Sequence, residues 1–299
     1  MIFGQVPNPG EVDFTLPADS PETSRVLSKS KQEDEFEVYI GCAKWNRTDL
    51  KGFYPRGTKD ELAYYATQFN SVELNATFYG MPTWDQIETW KNKTPDHFKF
   101  FPKLTNTISH YKRLIDVKEP VDTFCNAVSN FGDKLGMCFL QLHDNFKPKD
   151  FARLEKTLRE FPKGVPLGLE VRNSEWFADS KAKSDYENLL EELGMANIIV
   201  DTAGRRDMIH MRLTSPVAFV RYVGANHASD YTRLDDWAQR LLEWKQQGLQ
   251  KIYFFLHQNI ELESPLLSEH LTKEVNKIFG LDLVIPVRQP AQKSLLDEE

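Results

Sequence analysis

Apolar positions along this chain alternate between two periods. In SVELNATF (71–78) every second residue is apolar, with Val72, Leu74 and Ala76 on one face and Glu73, Asn75 and Thr77 on the other, as in a strand. In KDFARLEKTLREF (149–161) the apolar residues Phe151, Leu154 and Leu158 recur at helical spacing. Strand-like runs fall at 38–45, 71–78, 98–104, 136–142, 166–172, 196–202, 216–224 and 251–258. Helix-like runs fall between or after them at 60–69, 83–92, 121–132, 149–161, 184–194, 233–248 and 264–280. Ser184 reads as an N-cap, and Gly132 and Gly194 as helix stops. Trp84 and Trp90 read as core residues of their helix. The segment MIHMRLTS, 208–215, fits a loop, a short helix or an extra strand.

Eight strands, most followed by a helix, over about 245 residues predict an α/β protein of the single (β/α)8 TIM-barrel type. An open doubly wound sheet is the alternative, but no GxGxxG or GxxxxGK[ST] run follows the first strand. Residues 1–36, rich in Pro, Glu, Asp, Ser and Lys, predict an irregular or extended N-terminal arm. The barrel domain is expected at 37–284 and a C-terminal tail at 285–299.

The strands have apolar bodies, yet nearly every one ends in a polar group. Glu73 and Asn75 close the second, Lys103 the third, and Gln141 with His143 the fourth. Glu170 and Arg172 close the fifth, Asp201 the sixth, Arg221 the seventh, and His257 with Asn259 the eighth. In a TIM-type barrel that end carries function, so Glu73 and Asn75 are expected to face the barrel mouth. Buried Glu–Arg and Glu–Lys pairs that serve structure alone are the competing explanation for each residue. Tyr79 and Trp176 follow strands and are expected to wall a pocket.

A formal net charge of −7 argues against blanket adhesion to nucleic acid or anionic membrane. No apolar run approaches the roughly 18–20 residues that span a bilayer. The opening MIFGQVPNPGEVDF lacks a basic segment followed by a continuous apolar one, which predicts no signal peptide and a cytoplasmic protein. Cys42, Cys125 and Cys138 show no CxxC or Cys/His spacing, and Cys42 and Cys138 read as small buried hydrophobes.

The runs GCAKW (41–45), FYP (53–55), VELNATFY (72–79) and P-x-x-F-K-F-x-x-K (95–103) resemble the family called domain of unknown function 72, or YecE-like. So do ISH (108–110), KLG-x-x-x-x-QL (134–142), E-x-R with a following Trp (170–176), Asp201 and FVRYVG (219–224). The resemblance spans roughly residues 38–280. It implies a TIM-type barrel similar to those of endonuclease IV and xylose isomerase, and it implies no reaction. The chain departs from the family pattern at His143-Asp144, where prolines often follow QL. It also departs at Asn173, where a histidine is usual, and at Val223, which replaces the histidine of R-x-H-G.

The strand-end residues predict an enzyme acting on an anionic (phosphorylated) or sugar-like substrate, of hydrolase (phosphodiesterase-like) or sugar isomerase-like chemistry. Glu73, Glu170, Asp201 and His110 are its candidate acid–base groups. Asn75, Tyr79, Lys103, Gln141, Arg172, Trp176, Arg221 and Asn259 are its candidate substrate contacts, with Lys103, Arg172 and Arg221 converging on an anion as a phosphate-binding pocket. No cofactor is implied. His143, Glu170, Asp201 and His257 are acceptable ligand types for a divalent metal, but no HExxH or dense cluster supports one. A retaining glycosidase is disfavoured, because Gln141 and Arg221 stand where paired carboxylates would be needed. The alternative is a non-catalytic nucleic-acid or phospholigand binder, suggested by His110, Tyr111, Lys112 and Arg113 in ISHYKRL (108–114). A structural or interaction role with a degenerate site is the third possibility.

Overall fold

The computed structural model describes residues 4–30 and 36–288. In chain order the elements are α1 (Pro21–Lys29), β1 (Glu37–Cys42), α2 (Glu61–Gln68), β2 (Ser71–Leu74), α3 (Ala76–Tyr79), α4 (Trp84–Asn92) and β3 (Lys99–Pro102). Then follow α5 (Lys118–Val128), β4 (Cys138–Gln141), α6 (Phe151–Arg159), β5 (Leu167–Glu170), α7 (Glu175–Ala178), α8 (Ser180–Leu193), β6 (Ala196–Asn197) and β7 (Ile199–Thr202). The chain continues through β8 (Val217–Gly224), α9 (Ser229–Gln247), β9 (Lys251–Gln258) and α10 (Ser264–Phe279).

The molecule is α/β, and every strand pairing among the described residues is parallel. Six strands form one sheet in the order β3-β2-β1-β9-β8-β7, and β4-β5-β6 form another. Isolated parallel bridges, Phe100 with Leu135 and Lys103 with Phe139, join β3 to the β4 segment. On the other side β6 and β7 are consecutive, separated by Ile198, whose amide donates to the Leu169 carbonyl at 2.9 Å.

Alternation along the strands sorts their side chains onto two faces. Residues such as Val72, Phe100, Leu140 and Leu169 pack under α2, α4, α5, α6 and α8. Val220, Tyr222, Phe254 and Leu256 pack under α9 and α10. The opposite face gathers a third cluster built from strand residues and their immediate neighbours, including Phe101, Phe139, Val200, Phe219, Tyr253 and Phe255. Among the described residues no helix is long and apolar enough to cross a membrane.

Several local expectations change. The arm is not irregular throughout: Pro21–Lys29 is helical and buries Thr23, Val26 and Leu27. With so few apolar residues in PETSRVLSK, its order comes from partners far along the chain. The Thr23 hydroxyl donates to the Met211 carbonyl at 2.8 Å and accepts from the Leu213 amide at 3.0 Å. Residues 1–3, 31–35 and 289–299, parts of the expected arm and tail, lie outside the described residues.

The strand expected at 71–78 stops at Leu74, because Thr77 turns its hydroxyl back to the carbonyls of Leu74 and Lys103 at 2.9 and 2.7 Å. The helix expected from Ser184 begins at Ser180, capped by the Asp179 carboxylate on the amides of Lys181 and Ala182. The helix of 121–132 ends at Val128 and continues as a 3-10 stretch to Lys134. Gly194 closes α8 in the left-handed conformation, φ 66°. Residues Ala203–Met208 form a kinked 3-10 segment. Ile87 and Trp90 are buried, whereas Trp84, placed in the core by its spacing, is 59 % exposed.

β1 is clamped between β2 and β9, and a Cβ on Gly41 would lie 2.3 Å from the Ser71 carbonyl oxygen. Gly41→Ala is therefore expected to destabilise the fold by about 3 kcal/mol, the upper end of overpacking penalties, as read from urea denaturation midpoints.

Candidate functional site

The strands deliver one polar layer beyond the aromatic cluster. Counting two residues onward from the inner face gives Phe101 then Lys103, Phe139 then Gln141, Phe219 then Arg221, and Phe255 then His257. Glu73 sits opposite Phe101 in the register, and Glu170 opposite Gln141. The same alternation that builds the apolar plug thus aims these polar side chains together above it.

Arg221 is the hub. Its Nε donates to Glu73 Oε2 at 2.8 Å and its Nη2 to Glu73 Oε1 at 2.7 Å, a two-pronged pairing. Its Nη1 donates to Glu170 Oε2. Glu170 Oε1 also accepts from Arg172 Nε at 2.7 Å and from Gln141 Nε2 at 2.9 Å. Gln141 Oε1 in turn accepts from Lys103 Nζ at 2.8 Å. On the far side Glu73 Oε1 takes Asn75 Nδ2 at 2.7 Å, and Glu73 Oε2 lies 3.1 Å from His257 Nε2. The ammonium of Lys103 stands 4.1 Å from the centroid of the Phe78 ring.

Burial and charge set distinct protonation behaviours. Burial alone would raise the Glu73 carboxyl, but Arg221 and His257 hold it well below the usual carboxylate range. Glu170, also pushed up by burial, is brought down to about 2 by Arg221 and Arg172. Lys103 is lowered to about 7 by burial and the neighbouring Arg221, against the pull of Glu170 and Glu73. Burial, then His143 and Lys103, lower His110 to about 4.

His110 lies in a π-helical turn, Thr107–Tyr111, with its ring 5.0 Å from those of both Phe78 and His143. The Ser109 hydroxyl donates to the Thr105 carbonyl at 3.0 Å, so its 2.8 Å contact with His110 Nδ1 requires that nitrogen to carry the proton. Nε2 is then the unprotonated nitrogen, and a neutral His110 is an acceptor there.

Glu73, Asn75, Lys103, Gln141, Glu170, Arg172 and Arg221 therefore come together, with His110 beside them. Asp201 does not. Val200 belongs to the inner cluster and Ile199 to the helix-facing one, so Asp201 points outward toward α9. There it accepts from Arg206, from Arg233 Nη2 at 2.9 Å and from Trp237 Nε1 at 2.7 Å. Trp176 is fully buried against Phe146, Phe151 and Tyr186, its Nε1 donating to the Phe146 carbonyl, and belongs to the core. Tyr79 is 79 % exposed on α3, touching the rim through Phe78. Asn259 donates its backbone amide to Gly224 just beyond β9, and no described side-chain bond ties it to the cluster.

Among the described residues no three His, Cys, Asp or Glu side chains gather as a metal would require, so His143, Glu170, Asp201 and His257 do not form one ligand set. Phe78 is the contact that alternation missed, since the strand ends before it. Its place in VELNATFY was the available signal. The departures at 144 and 173 meet each other, Asn173 Nδ2 donating to the Asp144 carbonyl at 2.8 Å. Val223 lies opposite His257 in the strand register. All three thiols are buried, and burial pushes Cys42 and Cys125 up to about 12, so neither is a poised nucleophile.

Parallel strands whose polar ends converge on one buried ionic cluster define the class of protein. The chain belongs to the family described as protein of unknown function DUF72, whose model matches residues 39–291. It is 28% identical over 280 residues to the UPF0759 protein YecE of Escherichia coli K12, covering 86% of this chain and 99% of that one. The UPF0759 protein YunF of Bacillus subtilis is 30% identical over 151 residues, 47% of this chain and 52% of its own. A DUF72 family protein of Thermotoga maritima superposes with a TM-score of 0.64 at 25% identity, covering 82% of this chain and all (100%) of that one. One from Enterococcus faecalis gives 0.65 at 18% identity, over 84% of this chain and 100% of its own, a likeness of fold.

Two measurements test the cluster. Arg221→Met strands two buried carboxylates and is expected to cost about 3–5 kcal/mol in denaturant-derived stability, far beyond a surface ion pair. Between about 7 and the ordinary lysine value of 10.5, the unfolded chain holds a proton that the folded Lys103 lacks. Its contribution to stability therefore rises with pH across that window and is least favourable below about 7. The melting-temperature gain of Lys103→Met over wild type is accordingly expected to be largest near pH 6 and to shrink toward pH 10.

Proposed function

We propose that the two parallel sheets make one closed (β/α)8 barrel, and that its C-terminal mouth is the active site of an enzyme acting on an anionic, phosphorylated or sugar-like small molecule. The observation that carries this reading is the continuous hydrogen-bond chain Lys103–Gln141–Glu170–Arg221–Glu73–His257, drawn from six strand ends. The bridges between β3 and the β4 segment, and the continuity of β6 with β7, support closure. A purely structural core would fill such a layer more cheaply with apolar side chains, since buried ion pairs rarely outdo hydrophobic packing.

In this reading Glu73 and Glu170 stay ionised at neutral pH and hold the guanidinium groups in place. Arg172, about one-sixth exposed, together with Lys103 presents positive charge to the substrate. Lys103, with its proton poised near 7, and the unprotonated Nε2 of His110 are the groups suited to proton transfer. Glu73 and Glu170 thus become positioning residues, and Lys103 moves from substrate contact to acid–base group.

The test is calorimetric titration with inorganic phosphate and a panel of sugar phosphates, followed by turnover assays on every binder. Arg172→Met is expected to weaken binding at least about tenfold, roughly the 1.4 kcal/mol of one charge-assisted contact. Glu170→Gln, folded by circular dichroism, is expected to lose turnover. Binding without turnover would favour the non-catalytic phospholigand reading, and no binding by any anion would overturn the proposal.

A further inference from the structure

We propose that Lys103 is a nucleophile that forms an imine with an aldehyde or ketone bearing an anionic group, an inference that rests on reading this cluster as the ligand site. Four features of its setting converge. Lys103 ends a strand, so its backbone is fixed by the Leu74 carbonyl, which accepts its amide at 3.3 Å. Gln141 is its hydrogen-bond partner among the described residues, a neutral one, whereas the carboxylates nearby are paired with arginine. Phe78 and Phe139 flank the amine at 4.1 and 5.9 Å from their ring centroids, and Lys103 is buried, which limits its access to water. Burial disfavours its charged form, and so does Arg221, against the attraction of Glu170 and Glu73.

A desolvated lysine beside fixed cations is the arrangement that makes an amine available as a free base. An ordinary lysine is unprotonated in roughly one molecule per few thousand at neutral pH, whereas one titrating near 7 is about half unprotonated. The Thr105 hydroxyl, buried two residues further on with no hydrogen-bond partner among the described residues, adds an unsatisfied group just before the turn that carries His110.

The step balances without an outside reagent. The Nζ lone pair attacks the carbonyl carbon and the C=O π pair moves to oxygen. One amine proton passes to that oxygen. The carbinolamine then breaks its C–O bond, and the second amine proton leaves with the oxygen as water, leaving C=N. The neutral imidazole of His110, its ring 5.0 Å from that of Phe78, would relay those protons. Arg172 would hold the anionic group of the substrate.

The full-length protein is incubated near neutral pH with sodium cyanoborohydride and either glycolaldehyde or glyceraldehyde 3-phosphate, and modified lysines are mapped by peptide mass spectrometry. The hydride adds to the imine carbon and leaves a stable secondary amine. Lys103 is expected to be modified at least about tenfold faster than the mean of the surface lysines. The mass shift should vanish from that peptide in Lys103→Arg. Modification spread over surface lysines with Lys103 spared, by both aldehydes, would overturn the imine.

Because wild type carries the primary readout, a variant that fails to fold does not void the test. Thermal shift with inorganic phosphate on the same samples separates the two ideas. A shift that Arg172→Met abolishes, with no Lys103 adduct, leaves the anion site standing and removes the imine. Equal labelling of Lys103 by the neutral and phosphorylated aldehydes, with no phosphate shift, keeps the imine and removes the anion preference.

Discussion

The two-pronged ion pair between Arg221 and Glu73 is the constraint on which the polar layer at the strand ends depends. It links β8 to β2, strands far apart in sequence, and Arg221 reaches Glu170 on β5 with its remaining nitrogen. A guanidinium holds its donors in one plane, so satisfying both carboxylates fixes the distances between the three strand ends. Apolar packing below the layer tolerates small slips, whereas directional bonds between buried charges do not.

That rigidity has an electrostatic side. Each carboxylate is paired with arginine and stays ionised, which makes it a weak base and a poor acid near neutrality. Two titratable groups escape that fate. Among the described residues Lys103 reaches the network through a neutral amide, and His110 is placed on a π-helical turn outside it. The cluster therefore separates groups that set geometry from groups able to exchange protons, and each is defined by how many fixed charges it touches.

The period-two pattern made much of this legible. Lys103, Gln141, Arg221 and His257 each follow an inward aromatic by two residues, so strand parity alone predicts their shared face. Parity also explains the clearest miss. Asp201 follows Val200, one position out of phase, and its partners Arg206, Arg233 and Trp237 lie on segments whose approach no local pattern encodes. Trp176 failed for a related reason: a tryptophan after a strand suits either a pocket wall or a core, and only Phe146 and Tyr186 decide. Protonation states were beyond reach as well, because Lys103 and Glu170 differ from ordinary residues through neighbours supplied by other strands.

The N-terminal arm is tied to residues some two hundred positions further along the chain. Gly4 accepts the amide of Gly204, Arg206 reaches the carbonyls of Phe14 and Thr15, and Arg233 lies 4.2 Å from the centroid of the Phe14 ring. Thr23 bonds across 188 residues to Met211. During synthesis, at roughly 5–20 residues per second, every one of these partners emerges on the order of ten seconds or more after the arm. The arm thus reaches its seat only after the chain through α9 has been made, and until then the faces of β7 and α9 that it covers remain open to other chains.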